Sequence, residues 1–378
     1  MNMKKITTIL LTGIILTLSA CYPENFNQTT FHPYGPVADK QLDIFWLILA
    51  GGVVVFVLVE VLLIYAAIKY RSKKDSPLPN QVHGNHKLEF IWTIIPAIVV
   101  LIFSVLSINT LMYAADVPKD SEGNRGEHVA LQAIGHQWWF EFRYPNPNDE
   151  SQEVVLANEV YIPVGIPVRI ELDSVDVIHS FWVPKLAGKV DMVPKPQDIN
   201  GEKDLNHMWF EASEPGVYFG QCTEYCGASH ANMHFKVIAV SKPEYDTWLM
   251  KQTEPAIEWS DPLVLEGAEV FKSAGCSGCH SLKPTANAGS KGRLGPNLTH
   301  LASRTYLAAG MLNNTVGTDT TNVNESYLQE NLRAWITDPA SIKPGNLMSA
   351  QGAVYTDPDR ALTESQISAL IAYLTTLK

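Results

Sequence analysis

Two long apolar runs mark the first third of the 378-residue chain. Leu42 to Ile68 and Phe90 to Met112 each exceed the roughly 20 residues that a membrane-spanning helix needs. They predict a transmembrane helical hairpin over residues 42–113. Cations outnumber anions in the connection between them, which has Lys69, Arg71, Lys73, Lys74 and Lys87 against Asp75 and Glu89. Because such loops stay on the cytoplasmic side, the amino terminus and everything after Met112 are expected to face outward.

A shorter apolar run precedes the hairpin. Lys4 and Lys5 are followed by apolar residues 6–18 and by LSAC, which ends at Cys21 and resembles the lipobox of bacterial lipoproteins. Residues 1–20 are therefore predicted to be a lipoprotein signal peptide. Residues 21–41 would be a segment anchored in lipid through Cys21. The alternative is an uncleaved transmembrane anchor, for which the apolar core is short.

Beyond the hairpin, the pattern changes to that of short strands. Val168 to Asp173 (VRIELD) alternates strictly between apolar and charged side chains, as a half-buried strand does. Further strands are predicted at His128 to Ile134, Trp138 to Phe142, Met208 to Ala212, Val217 to Gly220 and Phe235 to Val240. Many short strands separated by turn residues predict an all-β sandwich or barrel over residues 117–250.

A third pattern, with helical spacing, follows a linker predicted at residues 251–262. Helices are predicted at Val264 to Lys272, at Tyr327 to Ile336 and in the segment that ends at Leu374. The last helix begins with a capping box of Thr363 and Gln366, after which apolar residues recur on one face. The chain is thus predicted to be multi-domain, with an all-α domain at residues 263–378.

Composition adds two restrictions. The net charge of −11 leaves no basic stripe to neutralise phosphates, which argues against nucleic acid as a partner. Five cysteines are an odd number for an exported chain, but each has a separate predicted role. Cys21 is assigned to lipidation, one pair lies in the β domain and the other pair in the helical domain. No disulfide framework is predicted.

The densest cluster of chemical groups is CTEYCGASHANM, residues 222–233. Cys222, Cys226, His230 and Met233 provide two thiols, an imidazole and a thioether, the soft and borderline ligands that copper prefers. Two thiolates on one loop can each bridge the same two metal ions, which then share one electron. The alternatives are a disulfide and a zinc site that also uses His230, but neither involves Met233.

Such a copper site needs a second histidine, and two candidates exist. His179, in DVIHSFWVP, lies upstream, and His234 lies next to the loop. Alternate residues from 233 to 239 share one face of a strand, which places His234 on the opposite, wetter face with Lys236. Strand parity therefore favours His179.

CSGCH, from Cys276 to His280, is the signature of covalent c-type haem attachment. Cys276 and Cys279 would form two thioethers and His280 would bind the iron; a redox-active disulfide or a partial zinc site is the alternative. The sixth ligand is expected to be methionine, because Met with His raises the haem potential into the range of cytochromes c. Met348, in KPGNLMS, and Met311 are the candidates, of which Met311 ends a predicted helix and is better explained by packing.

Together these motifs resemble the dinuclear copper (CuA) subunit II of cytochrome c oxidase, with a cytochrome c fused to its carboxyl end. The copper-subunit resemblance extends from about Leu42 to Trp248 through LEFIWTIIPA, GHQWWFEFRY, DVIHSFWVPKLAGKVD and the loop at 222–233. It implies a cupredoxin-like sandwich for residues 117–250. It also implies a multi-pass protein of the bacterial plasma membrane, lipid-anchored at its amino terminus, with both redox domains on the outer face.

The resemblance implies a role for each matched position. The dinuclear copper centre would use His179, Cys222, Cys226, His230, Met233 and the backbone carbonyl of Glu224. The Glu224 carboxylate is implied at a magnesium site shared with subunit I. Trp138 is implied as the point of electron entry. Glu89 is implied at the mouth of a proton path, with an ordinary interfacial charge as the alternative.

In the helical domain, the resemblance implies that Cys276, Cys279, His280 and Met348 hold haem c. Gly295 and Pro296 match the segment whose carbonyl orients the imidazole on the iron. One position departs from the family pattern, because proline commonly follows the methionine ligand and Ser349 stands there.

The resemblance implies the electron-entry subunit of an aerobic respiratory oxidase. Electrons would pass from a membrane cytochrome c reductase or a small cytochrome c to haem c, then to copper, and then to subunit I, where oxygen is reduced to water and protons are pumped. Subunit III is a further implied partner. Two spanning helices without an intramembrane histidine cannot ligate the oxygen-reducing metals, so a catalytic partner is required. The alternatives are the corresponding subunit of a nitric oxide reductase and a copper-delivery lipoprotein.

Overall fold

A computed structural model of the protein describes residues 26–71, 81, 84–119, 122–149, 153–197, 201, 203–255, 260–283, 289–317 and 320–378. Three parts follow one another: a pair of long helices, a β sandwich and a helical domain. The predicted fold class is therefore confirmed. The predicted signal peptide, Cys21 and the loop charges Lys73, Lys74 and Asp75 lie outside the described residues.

The pair of long helices forms the membrane part. Helix α1, Pro36–Lys69, has 34 residues, and helix α2, His86–Ala115, has 30. At 1.5 Å per residue α2 is about 45 Å long, which exceeds the roughly 30 Å of a bilayer's hydrocarbon core. Both helices begin before the predicted apolar runs. Pro36 starts α1 with a backbone angle suited to a helix, and the Asn85 side chain caps α2 by accepting backbone hydrogen bonds.

The outer ends of both helices contact the β domain directly. The N–H of Tyr34 donates to the carbonyl of Lys185 at 2.7 Å, and the N–H of Ala38 donates to that of Leu186 at 3.3 Å. On α2, the carbonyl of Tyr113 accepts a 2.9 Å hydrogen bond from Trp209 Nε1. These contacts bury the start of α1 against the β domain, so the two parts are joined by more than the chain itself.

The described residues of the β domain form ten strands. They are β1 Val129–His136, β2 Trp139–Pro145, β3 Glu153–Ala157, β4 Glu159–Pro163, β5 Val168–Ser174, β6 His179–Phe181, β7 Val190–Met192, β8 Asn206–Phe210, β9 Gly216–Gln221 and β10 His234–Val240. One sheet has the order β3-β2-β1-β5-β8, the other has β4-β10-β9, and β6 pairs with β7. The six predicted strands are present with slightly shifted ends, whereas β3, β4, β6 and β7 were not predicted.

Aromatic rings fill the space between the sheets. Phe235 of β10 stacks on Phe181 of β6 with ring centroids 4.6 Å apart, and it contacts Phe140 of β2 at the same separation. Gly220 leaves room for this packing, since a Cβ there would overlap the Phe235 ring. Burial of one such ring stabilises the fold by about 1.5–3 kcal/mol. Because Phe235 is two residues from Met233, this core fixes one end of the loop with the candidate copper ligands.

The remaining helices follow the sandwich. They are α3 Lys242–Gln252, α4 Pro262–Ser273, α5 Cys276–Cys279, α6 Glu325–Thr337, α7 Pro339–Ile342, α8 Leu347–Gln351, α9 Ala353–Thr356 and α10 Glu364–Leu374. Two small hairpins pair β11 Ser281–Leu282 with β12 Ser290–Lys291 and β13 Tyr306–Leu307 with β14 Leu312–Asn313. The capping box of Thr363 and Gln366 is confirmed at α10. Helix α10 crosses α4 at Gly267, where a Cβ would overlap the carbonyl oxygen of Ala369.

The helical domain covers the face of β10 that was predicted to face solvent. Lys236 is 0% exposed, because Thr305 and Tyr306 of the helical domain lie over its ammonium group. The prediction that His234 and Lys236 share a solvent-facing surface is therefore wrong. Strand alternation shows which side chains share a face, but not what covers that face. The helix predicted before Met311 is also absent from the described residues, since a short 3₁₀ turn in which Ala308 and Ala309 have left-handed backbone angles stands there.

Candidate copper and haem sites

The candidate copper ligands lie on the connection between β9 and β10. The N–H of Cys222 donates to the carbonyl of Met233 at 3.0 Å, which closes the loop at its base. Gly227, with a φ of +114°, provides a turn that other residues rarely adopt. A 3₁₀ turn at His230–Asn232 then returns the chain to β10. The local backbone thus directs both ends of the loop toward the same point.

Two free, buried thiols occupy the centre of this loop. The Sγ atoms of Cys222 and Cys226 are 3.8 Å apart, whereas a disulfide requires about 2.05 Å. The hydrogen bond from Cys226, helped by one from His179, lowers the pKa of Cys222 to about 3. The same hydrogen bond between the two thiols raises the pKa of Cys226, because a second negative charge would lie beside the first. A second thiolate is therefore unfavourable at this site unless a cation lies beside it, as in a metal centre.

An imidazole lies beside each sulfur. His179 Nδ1 is 3.9 Å from Cys222 Sγ, and His230 Nδ1 is 3.5 Å from Cys226 Sγ. His179 comes from β6 and His230 from the loop itself, so two separate elements bring nitrogen donors to the sulfur pair. The competing His234 packs instead against Gly310 of the helical domain.

Two weaker donors complete the group. Met233 Sδ lies 3.9 Å from Cys226 Sγ, and the carbonyl oxygen of Glu224 lies 3.3 Å from Cys222 Sγ. The structure thus brings together all six positions that the sequence suggested for copper. Two thiols, two imidazoles, a thioether and a carbonyl are a donor set that fits copper and exceeds what one tetrahedral zinc ion uses.

Asp176 contacts the candidate copper site and was missed by sequence reasoning. Its Oδ1 accepts a 2.8 Å hydrogen bond from His179 Nε2, and its two oxygens also accept from the N–H groups of Val177 and Gln137 at 2.7 Å each. Burial opposes the charge on Asp176, but these hydrogen bonds prevail and lower its pKa. A carboxylate on one nitrogen fixes the tautomer and leaves the other for a metal. The available signal was the aspartate three residues before the histidine in DVIH.

Trp138 lies against the ligand loop. Its Nε1–H donates to the carbonyl of Cys226 at 2.9 Å, and the Gln137 side-chain amide donates to the same oxygen at 2.7 Å. The indole also packs on Gly227, where a Cβ would be 3.0 Å from the ring. The residue predicted for electron entry therefore touches the backbone of a candidate copper ligand, while its electron-transfer role stays a prediction.

The Glu224 side chain is separate from its inward-facing carbonyl. The carboxylate is 42% exposed and lies 3.7 Å from the ammonium group of Lys189. Lys189 also pairs with Asp191 at 2.9 Å, and Asp191 accepts a hydrogen bond from Ser180. The backbone and side chain of Glu224 can therefore bind different partners, one inside the loop and one at the surface.

The residues of the haem signature lie on α5 and directly after it. Gly275, with a φ of +84°, ends α4 and allows α5 to start at the next residue. Cys276 and Cys279 are free and half-buried, and burial raises the pKa of Cys276 to about 11. Both thiols therefore lie on one helical turn next to His280.

The His280 imidazole is held by one nitrogen. Its Nδ1 lies 2.9 Å from the carbonyl oxygen of Pro296, as the resemblance implies, and burial lowers its pKa. The ring packs so closely on Gly295 that a Cβ there would lie 2.6 Å from it. A neutral imidazole whose Nδ1–H is bound to a carbonyl leaves Nε2 as a donor, which fits an iron ligand.

Met348 lies half-buried on the short helix α8. Asn346 caps this helix by accepting from the Ser349 N–H at 2.8 Å, and the Ser349 hydroxyl donates to the Asn346 carbonyl at 3.0 Å. Proline has no N–H to make the first bond, so the departure at Ser349 gives α8 a cap that the common family sequence lacks. Met348 stays the predicted sixth ligand.

Glu89 has local partners at the start of α2. Its carboxylate accepts from the N–H of Asn85 at 3.2 Å and lies 3.2 Å from His86 Nδ1. These contacts stabilise the first turn of the helix. These contacts alone can account for an acidic residue at this position. The role of Glu89 at the mouth of a proton path stays a prediction.

Comparison with known proteins gives three family matches. The periplasmic domain of "Cytochrome C oxidase subunit II" matches residues 129–240, its transmembrane domain matches residues 23–110, and "Cytochrome c" matches residues 264–378. Subunit 2 of the cytochrome c oxidase of Alkalihalophilus pseudofirmus is 38% identical over 97% of this chain and 96% of its own length. That of Bacillus subtilis is 32% identical over 98% and 97%.

Solved structures add a weaker match. The periplasmic domain of subunit II of the Bradyrhizobium japonicum oxidase is 27% identical, with a TM-score of 0.30, over 36% of this chain and 97% of that chain. The family assignment therefore depends on the sequence matches. They imply copper in the β domain, haem in the helical domain, and a membrane protein with an external domain. The chain belongs to the cytochrome c oxidase subunit II family and has a cytochrome c domain at its carboxyl end.

Proposed function

We propose that this chain is the electron-entry subunit of an aerobic respiratory cytochrome c oxidase. In this proposal, electrons pass from covalently bound haem c to a dinuclear copper centre and on to subunit I, which reduces oxygen to water and pumps protons. The observation that best supports it is the pair of buried thiols 3.8 Å apart with one imidazole beside each. This pairing favours two metal ions that share both sulfurs over a single-metal site.

The protein's own residues supply the geometry for this role. Cys222 and Cys226 would bridge the metal ions, His179 and His230 would bind one ion each, and Met233 and the Glu224 carbonyl would be weak ligands. A copper pair, when bound, provides a one-electron carrier and compensates the charge of the second thiolate. The flanking strands and the Asp176 hydrogen bond hold the donors in place, so little protein motion is needed when the charge changes.

In the cytochrome domain, Cys276 and Cys279 would form the thioether bonds, and His280 and Met348 would bind the iron. The hydrogen bond from His280 to Pro296 orients the ring and makes it a stronger donor. Trp138 would be the residue through which an electron enters the copper site, since it contacts the Cys226 carbonyl.

The remaining assignments follow from family membership. Subunit I, and also subunit III, would be membrane partners, with a membrane cytochrome c reductase or a small cytochrome c as donor. The exposed Glu224 carboxylate would share a magnesium ion with subunit I, and Glu89 would lie at the mouth of a proton path. The chain would pass twice through the bacterial plasma membrane, with Cys21 lipidated and both redox domains outside.

Metal and haem analysis of the purified full chain, with electron paramagnetic resonance, tests the proposal. We expect two coppers per haem and the hyperfine pattern of one electron shared between two equivalent nuclei. Cys222→Ser should remove that pattern and leave the haem spectrum intact. Cys276→Ser is the reciprocal control, since it should disturb haem attachment and leave the copper pattern. The pattern of a single copper nucleus would contradict the shared-sulfur site.

The same material separates the alternatives. A complex that turns over nitric oxide and not oxygen would assign the chain to a nitric oxide reductase. Copper that is lost to a mild chelator, together with no electron transfer from haem to copper, would indicate copper delivery.

A further inference from the structure

The cytochrome domain packs on the copper domain through buried polar groups. Among the described residues, two of the contact regions are polar and buried, one on the strands β4 and β10 and one on the copper ligand loop. The strand contact consists of Glu159, Lys236, Thr305 and Tyr306. The loop contact consists of Ser229, Asn232, Lys343 and Pro344. Each region contains a lysine that is almost completely buried, which is an unusual state for this residue type.

In the strand contact, two charges of the copper domain are satisfied by the cytochrome domain. Glu159 and Lys236 are paired across β4 and β10 and are 6% and 0% exposed. Glu159 Oε1 accepts from the Thr305 N–H at 2.8 Å, the Thr305 hydroxyl at 2.5 Å and the Tyr306 N–H at 3.2 Å. Lys236 Nζ donates to Thr305 Oγ1 at 2.8 Å and lies 3.2 Å from the centre of the Tyr306 ring.

This arrangement requires one specific position of the cytochrome domain. Three donors converge on one oxygen of Glu159, and the Thr305 hydroxyl is hydrogen-bonded to both Glu159 and Lys236. A small displacement of the cytochrome domain would therefore leave these two buried charges without partners. A buried charge that loses its partner is strongly unfavourable. Fully satisfied buried polar networks therefore select a single geometry rather than merely increase affinity.

The loop contact joins the haem side to the copper ligand loop. Lys343 is 3% exposed, and its ammonium group donates to the carbonyl of Asn232 at 2.9 Å and to that of Ala308 at 3.1 Å. The Ser229 hydroxyl donates to the carbonyl of Pro344 at 2.6 Å. Ser229 and Asn232 lie between Cys226 and Met233, and Lys343 lies five residues before Met348. The two ligand loops are thus hydrogen-bonded to each other.

Trp138 fills the space between these loops. Gly345, with a φ of +80°, lies so close that a Cβ there would be 2.9 Å from the indole ring. The other side of the same indole donates to the Cys226 carbonyl. One aromatic side chain therefore contacts both the segment that leads to Met348 and a candidate copper ligand.

We propose that the cytochrome domain is docked in one fixed position by the strand contact and the loop contact, and that Lys236, Glu159, Thr305 and Lys343 are positioning residues for electron transfer between haem and copper through Trp138. This inference rests on the proposed function. It differs from the idea of a tethered domain that swings between its donor and the copper site. In the docked position, electron transfer from haem to copper does not require the cytochrome domain to diffuse to the copper site first.

The rate of electron transfer from haem to copper in the full chain tests the proposal. The haem is reduced by a rapid photochemical pulse, and its reoxidation is followed optically. Because the docking groups are buried, salt screens them little. We expect the wild-type rate to stay constant between low and high ionic strength and with added viscogen. A rate that falls with salt or viscosity would overturn the fixed position.

Four variants separate positioning from damage to the metal sites. Lys343→Met and Thr305→Val each remove two buried hydrogen bonds. Lys242→Met and Thr247→Val make the same chemical changes on the exposed helix α3. We expect the first two to slow the transfer about tenfold, because the domain then occupies the productive position for only a small part of the time. The two controls should retain the wild-type rate. In all four variants the copper resonance and the haem spectrum should be unchanged.

The outcomes distinguish this inference from the proposed function. If the wild-type chain shows no transfer from haem to copper, the proposed function fails. If the wild-type chain transfers electrons and both Lys343→Met and Thr305→Val do so at the same rate, the fixed docking fails alone. If one variant does not fold, the other variant and the salt dependence of the wild-type rate still decide.

Discussion

Replacement of Asp176 tests whether a carboxylate that binds no metal directly controls the copper site. Its Oδ1 holds His179 Nε2 and the Val177 N–H, and its Oδ2 accepts from the Gln137 N–H. In Asp176→Asn, an amide oxygen can replace Oδ1, but the NH₂ group then faces the Gln137 N–H, so one bond is lost. In Asp176→Ala all three bonds are lost and the His179 ring can turn away from Cys222.

The size of the effect follows from these bonds. Loss of a partner behind a metal-binding histidine lowers metal affinity by roughly 10-fold to 100-fold. We expect Asp176→Asn to lose about 1.4 kcal/mol of copper-binding free energy, near the lower limit, and Asp176→Ala to lose about 2.7 kcal/mol, near the upper limit. The assay is competition for copper between the full chain and a chelator of known affinity, followed through the absorption of the copper site.

Asp173→Asn is the matched control for this experiment. Asp173 lies three residues away and pairs with Lys203 at 2.6 Å, but it makes no hydrogen bond with His179. It should retain wild-type copper affinity. If Asp176→Ala holds copper as tightly as Asp173→Asn, the reasoning about the outer hydrogen bond is refuted.

Three further predictions concern the cytochrome domain. Met348→Ala should change the haem spectrum and leave the copper resonance, whereas Met311→Ala should change neither. Gly267→Ala should destabilise the domain by about 1–3 kcal/mol, because a methyl group does not fit at the crossing of α4 and α10. Thermal unfolding would measure this loss. The control Gly126→Ala has room for the methyl group and should leave the melting temperature unchanged. Thr363→Ala should cost about 1 kcal/mol through loss of the α10 cap, and an unchanged melting temperature would contradict it.

Much of the fold was predictable because its signals are local. The apolar runs of the membrane helices, the alternation of VRIELD and the capping box at Thr363 each depend on residues a few positions apart. The short strands β6 and β7, with three residues each, are too brief to show a period. For the candidate copper site, residue chemistry alone suggested the two thiols, the imidazole and the thioether of the loop at 222–233, and strand parity favoured His179. The Glu224 carbonyl was expected only from the family resemblance, because every residue has a backbone carbonyl.

The remaining features depend on contacts between distant segments. Lys236 was expected to be solvated because its strand alternates, but Thr305, far along the chain, covers it. No pattern near either residue contains that information. Asp176 was missed for a different reason. A carboxylate at a turn is ordinary in sequence, and its importance follows only from its distance to His179 Nε2.

The joint between the helices and the β domain has a consequence for engineering the chain. Hydrogen bonds attach the outer ends of both helices to the sandwich, from the N–H groups of Tyr34 and Ala38 and to the carbonyl of Tyr113. One residue inserted near the top of α1 would rotate its end by about 100° and raise it by about 1.5 Å. The carbonyl partners at Lys185 and Leu186 could then no longer be reached. The height of the ligand loop above the bilayer is thus set by helix length, and insertions should be tolerated far better after α3 than at the top of α1.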